Sequence, residues 1–222
     1  MRHLYNFFVA DEPQVPAWPI EPPRDPKAIE AMCEVFVSSG YDMTSVLRYL
    51  FNAEFFKNAQ YQKVRNPAEV IVGTLLMTGD MLGPDPRWGE LGNETGYMGQ
   101  ALLDPPSVEG WHTGKEWINS GALVKRVNFL TDTMGDVSLP GVRKIIEKVA
   151  EGSATTSPEM LVERCLELMG PLPVKDKTKE ELVDHATEYG DIAWDEDSYE
   201  DSAKKAAEVL ALIASTREYQ FG

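Results

Sequence analysis

Three observations predict an all-α fold, an irregular bundle of about eight to nine helices joined by proline- and glycine-rich loops. Apolar residues recur at spacings of three and four along most of the 222 residues, as one face of a helix requires. The period-two alternation of β-branched residues that marks a strand is absent almost everywhere. The 15 prolines and 17 glycines gather between the periodic segments, where they act as breakers.

Pro13, Pro16, Pro19, Pro22, Pro23 and Pro26 fall in one run. Proline fixes φ and lacks an N–H donor, which favours extended or polyproline II geometry, so residues 11–26, which include Ile20, read as a packed strap anchored by Trp18. Asp25 suits an N-cap and Pro26 the first helical turn. The helix they open places Ile29, Met32, Cys33 and Phe36 inward and stops at Gly40. Asp42 or Thr44 starts a second helix, to about Phe56, with Val46, Leu47, Leu50 and Phe51 inward.

Asn66-Pro67 opens a third helix, PAEVIVGTLLMTG, apolar enough to be central, and its Gly73 predicts close approach by a neighbour. Gly89, Gly92, Gly96 and Gly99 fall near one helical stripe, which fits packing against a small-residue face better than a phosphate loop: no GxxxxGK[ST] follows and no strand precedes. Beyond Asp104-Pro105-Pro106, Asn119 or Ser120 caps a helix bearing Leu123, Val124, Val127 and Leu130. Leu139-Pro140 and Ser157-Pro158-Glu159 open two more, the latter ending at Gly170 before Pro171 and Pro173. Helices over about 178–189 and 198–217 close the chain. Composition divides the chain into residues 1–26, a helical core at 27–175, and an acidic C-terminal helical segment at 176–222.

The charge balance is 21 Lys+Arg against 36 Asp+Glu, a net of −15. Residues 176–208 carry 12 acids against 4 lysines, net −8. Phosphate contacts need clustered cations, so no nucleic-acid partner is expected, and no anionic membrane surface. No apolar run approaches the roughly 18 residues of a membrane span. The opening MRHLYNFFVADEP has a short apolar stretch broken by Asp11 and Glu12, without a signal peptide's apolar region or cleavage site. Cys33 and Cys165 lie in apolar helical patterns, which favours buried free thiols over a disulfide.

Residues 98–129, MGQALLDPPSVEGWHTGKEWINSGALVKRVNF, resemble a bacterial family, number 1800 among the domains of unknown function. The resemblance rests on Gly99, Gln100, Pro105, Pro106, Val108, Gly110, Trp111, Gly114, Trp117, Ile118, Asn119, Arg126, Asn128 and Phe129. Lys63, Pro67 and Glu69 match its Lys-x-Pro-x-Glu helix, and EVLALIASTREYQFG resembles its closing helix. The resemblance implies a mostly helical fold and supplies no activity. Family members are usually about twice this length, so the chain resembles their C-terminal part; a longer precursor would by the same resemblance be exported.

The turn from Trp111 to Trp117 is the leading candidate site. Its indoles, with Glu116, Asn119 and Arg126, fit a platform for a sugar or cation; a loop whose indoles plug the helical core fits them better, with Gly99, Gln100, Pro105, Pro106, Gly110 and Gly114 as its structural motif. His112 and Glu116, four apart, lack a third ligand, so no metal is expected. His185, beside Asp184 and Glu188, reads as a solvated face. The run Asp195, Glu196, Asp197, Glu200, Asp201 departs from the EF-hand pattern and reads as a solvated acidic face ahead of a loose Ca²⁺ site. Glu69, in an apolar helix, is the candidate buried charge, with Arg126 or Arg65 as its partner. No catalytic constellation and no cofactor motif is found. Two functions remain: a non-enzymatic scaffold or binding module for a partner protein or a missing N-terminal half, and a small-ligand (carbohydrate included) or hydrolytic domain at the tryptophan loop.

Overall fold

The computed structural model describes residues 1–170 and 172–222; Pro171 lies outside them. The protein is all-α, with eleven α-helices and one two-stranded ribbon among the described residues. The chain packs as two compact units. The first comprises Met1–Asn66, Leu103–Asn119 and Phe221–Gly222, the second Pro67–Leu102 and Ser120–Gln220. This division follows packing in space, whereas the three sequence segments follow composition.

The first unit holds α1 (Arg2–Phe8), α2 (Pro26–Ser38), α3 (Met43–Asn52) and α4 (Glu54–Lys57). The cap signals act as read. The Asp25 carboxylate accepts from the Ala28 amide at 3.0 Å, and Asp42 accepts from the Thr44 and Ser45 amides, satisfying donors that a helix start leaves orphaned. Two helices exceed the expected count. Ala53 turns extended (ψ 145°) and divides the second predicted helix into α3 and α4. The segment that becomes α1 carries no side-chain cap; it is held by the burial of Tyr5 in a core with Met32, Val46 and Leu50.

The strap is fastened to α1. Trp18 Nε1 donates to the Pro13 carbonyl at 2.7 Å, and the Arg2 guanidinium lies over the indole at 4.7 Å while bonding the Trp18, Glu21 and Pro22 carbonyls. Beneath it Glu12, buried, accepts from Arg2 Nε at 2.7 Å and from the Arg24 amide at 2.8 Å. Ile20 is exposed.

Phe51 and Cys33 correct the expected inward faces, since both are exposed. The apolar stripe of α2 is narrower than its spacing suggested: Ala28 and Met32 are buried. Cys165 is buried and both thiols are free. Ellman's reagent should therefore titrate one thiol readily in the native protein and the second only on unfolding. Burial pushes the Cys165 thiol up from 9.0 to about 12. A raised folded pKa keeps its stability contribution whole below the unfolded value, and that contribution is lost as pH rises above 9.0, so alkaline unfolding and Cys165 labelling should coincide.

The second unit holds α5 (Pro67–Thr78), α6 (Trp88–Tyr97), α7 (Ser120–Met134), α8 (Pro140–Ala150), α9 (Pro158–Leu168), α10 (Asp176–Thr187) and α11 (Tyr199–Ser215). Strands β1 (Thr155–Thr156) and β2 (Ile192–Ala193) pair antiparallel, Thr155 opposite Ala193. The central helix is α11. Its alanines, Ala203, Ala206, Ala207 and Ala214, with Leu210 and Ile213, are buried among α7, α8, α9 and α10; small side chains let four neighbours approach one helix.

The expectation of a central third helix is thereby corrected. α5 packs on α7 and α8 but leaves Val72 and Leu76 53% and 66% exposed. Gly73 meets nothing within 4 Å, so it serves no close approach. That role falls to Gly141 at the start of α8, where an added Cβ would sit 2.1 Å from the Met77 carbonyl oxygen. Gly89, Gly92 and Gly96 likewise face open space, so the α6 glycine stripe packs on nothing.

Candidate functional site

The tryptophan loop belongs to the first unit and is built on the strap. Asp11 is its footing. Asp11 Oδ2 accepts from the Val64 amide at 2.8 Å, and Gly114, at φ +63°, lies so close that an added Cβ would stand 3.1 Å from Asp11 Cβ. Glycine is required there twice over, for its positive φ and for that space. Gln14 Nε2 donates to the Thr113 carbonyl at 2.9 Å. From this base the 3-10 turn Gly114–Ile118 buries Trp117, 5% exposed.

Of the proposed ligand residues, Trp111, Glu116, Trp117 and Asn119 share this loop, while Arg126 belongs to the second unit. Trp111 is half-buried; Glu116 and Asn119 are exposed, and the Asn119 amide donates to the Glu116 carbonyl at 3.0 Å. His112 Nδ1 stands 3.8 Å from a Glu116 oxygen on the open surface. Arg126 is fully buried on α7, its Nε 3.0 Å from the Gln220 side-chain oxygen. Gln220 in turn donates to the Ala214 carbonyl, so Arg126 ties α7 to the end of α11.

Glu69 is corrected as a buried charge: it is exposed on the first turn of α5. Among the described residues the buried charges are Arg126 and Glu12. The sequence offers Arg126 as a ligand residue or as a partner for Glu69, and leaves Glu12, in a proline-rich strap, unmarked.

The motif residues divide by role. Gln100, buried, accepts the Ala68 amide at 2.9 Å and caps α5; Gly99 ends α6 with φ +98°. Pro105 and Pro106 stand exposed before a tight turn in which the Gly110 amide donates to the Ser107 carbonyl. Every residue from Ala101 to Glu109 is exposed, Leu103 at 97% and Val108 completely.

Elsewhere in the second unit, His185 bonds the Tyr189 hydroxyl at 2.5 Å, and that hydroxyl donates to Glu208 at 2.5 Å. Burial, then the hydrogen bond to Glu208, pushes the phenol above its ordinary range. His185 is thus a bonded member of a helix–helix contact and no solvated face. Asp195 accepts from the Asp197 and Ser198 amides at the start of α11, and the Ser198 bonds hold its carboxyl below the usual range. Among the described residues no group of three or more His, Cys, Asp or Glu is placed to hold a metal ion, and no helix is long and apolar enough to cross a membrane.

The family model described as "Protein of unknown function (DUF1800)" matches residues 1–221. The chain belongs to the DUF1800 family. No curated protein and no solved structure matches it. Within this DUF1800 protein several residues that carried the resemblance have local roles: Gln100 is a cap, Gly114 a close approach, Trp117 and Arg126 buried side chains, while Pro105, Pro106 and Val108 lie on an exposed tip.

Proposed function

We propose that this DUF1800 protein is a non-enzymatic helical binding or scaffold module that engages an amphipathic helix of a partner protein through the outer face of α5. The observation that carries the reading is the pair Val72 and Leu76, one helical turn apart and both more than half exposed. A helix apolar on every side is normally covered on every side, and α5 carries one charge, Glu69, in twelve residues. Val72 and Leu76 form an i, i+4 ridge, and the open space over Gly73 gives a partner helix room to approach. The alternative, a small-ligand or hydrolytic site at the tryptophan loop, asks for an open indole face, and Trp117 is buried.

The test is site-specific photocrosslinking in the producing cell. A benzophenone side chain at position 72 should give one adduct of defined mass, lost with Leu76→Asp and absent from a probe at Lys204 on α11. The adduct's peptide sequence distinguishes a separate protein from a further segment of a longer precursor. Adducts that persist with Leu76→Asp, or none at all, would overturn the reading.

A further inference from the structure

A groove of about 460 Å³ opens in the second unit between the start of α10 and the end of α11. Leu182 and Leu212 give it an apolar floor, and Lys175, Lys177 and Arg217 line its rim. The rim also carries Glu181, 3.6 Å from Lys177 Nζ, and Glu218, which accepts from the Thr178 hydroxyl at 3.1 Å, so its three cations face two carboxylates. Lys175 and Arg217 have no side-chain ion pair or hydrogen bond among the described residues. In a chain of net charge −15, two unengaged cations beside an apolar floor mark a surface complementary to an acidic, apolar ligand.

The same chain presents such a ligand. The loop tip exposes Leu103 and Val108, flanked in sequence by Asp104 and Glu109. Pro105 and Pro106 fix φ there and the Gly110 amide bonds the Ser107 carbonyl, which lowers the conformational entropy that docking would cost. Leu103 is kept at φ +65°, an uncommon conformation for a branched side chain, and no apolar contact within the chain recompenses its exposure. Val108 is fully exposed, which leaves it available to a second molecule.

We propose that the Leu103–Val108 tip of one copy docks in the Lys175–Arg217 groove of a second copy. Val108 would sit over Leu182 and Leu212, with Asp104 and Glu109 against the rim cations. The two surfaces differ, so the contact is heterologous. It uses neither face of the α5 reading and stands or falls separately from it.

Sedimentation velocity of the full chain at low salt tests this. The wild-type chain should associate with rising concentration, and added salt should weaken the association. Val108→Asp disables only the tip and Arg217→Glu only the groove; both sites are exposed, so the fold, followed by circular dichroism, should persist. Each variant alone should associate at least about tenfold more weakly. Mixed, they should recover a complex that stops at one-to-one, because each supplies the surface the other lacks. A chain monomeric throughout, an association both variants retain, or a mixture with no recovered complex would overturn the proposal. Association abolished by Leu76→Asp and untouched by the other two would reassign self-contact to α5.

Discussion

Arg126→Ala should unfold the second unit at markedly lower urea, with a loss of about 4 kcal/mol. The guanidinium is fully buried and its Nε bonds Gln220. Truncation leaves that amide oxygen without its buried donor, at about 1–3 kcal/mol, and opens a cavity where the side-chain stem lay. Arg126→Met separates the two terms, since it refills most of the space and restores no donor; it should lie between wild type and alanine. Arg126→Lys should not rescue fully, because an ammonium lacks the planar fork of donors. The check is urea unfolding followed by far-ultraviolet circular dichroism. An alanine variant within about 1 kcal/mol of wild type would show that the buried charge costs as much as it contributes.

Glu12→Ala should destabilise the first unit by about 3–5 kcal/mol, because it leaves Arg2 with no carboxylate in a largely dry setting. Glu12 is the knot of the strap: its carboxylate takes Arg2 and the Arg24 amide, and its own amide donates to Asn6 Oδ1. Released, Arg2 would lose its orientation over Trp18, so the loss should appear first as a change in Trp18 environment. The double variant Arg2→Met/Glu12→Leu removes both charges together and should recover part of the loss. Limited proteolysis gives a second reading. The strap between Pro13 and Arg24 should become cleavable in Glu12→Ala and stay protected in the wild type. Equal protection in both would place the strap's stability elsewhere.

Helix starts were legible in the residues because their causes are local. Asp25, Asp42 and Ser157 each accept from an amide two or three residues on, and a proline follows Asp25 and Ser157 at once. The family resemblance was legible too, in a loop whose glycines and prolines keep fixed spacing. The candidate site was legible only in part. Trp111 through Asn119 form one loop as read, and the reading in which its indoles plug the core anticipates a buried Trp117, but nothing in the residues marks Val108 as exposed.

What the sequence by itself determined, then, is the helical class, most helix boundaries and the family, all of which depend on contacts a few residues apart. Only the tertiary structure decided which faces are covered. PAEVIVGTLLMTG is more apolar than the alanine-rich helix that closes the chain, yet α11 is enclosed and α5 is left with an open ridge. The reason is steric: alanines admit four neighbours around one axis, whereas valine and leucine hold neighbours apart. Likewise Glu69, a charge in an apolar helix, is exposed, while Arg126, in a more polar helix, is taken inside by what packs over it. Burial is a property of the neighbours, and a sequence read one segment at a time does not contain them.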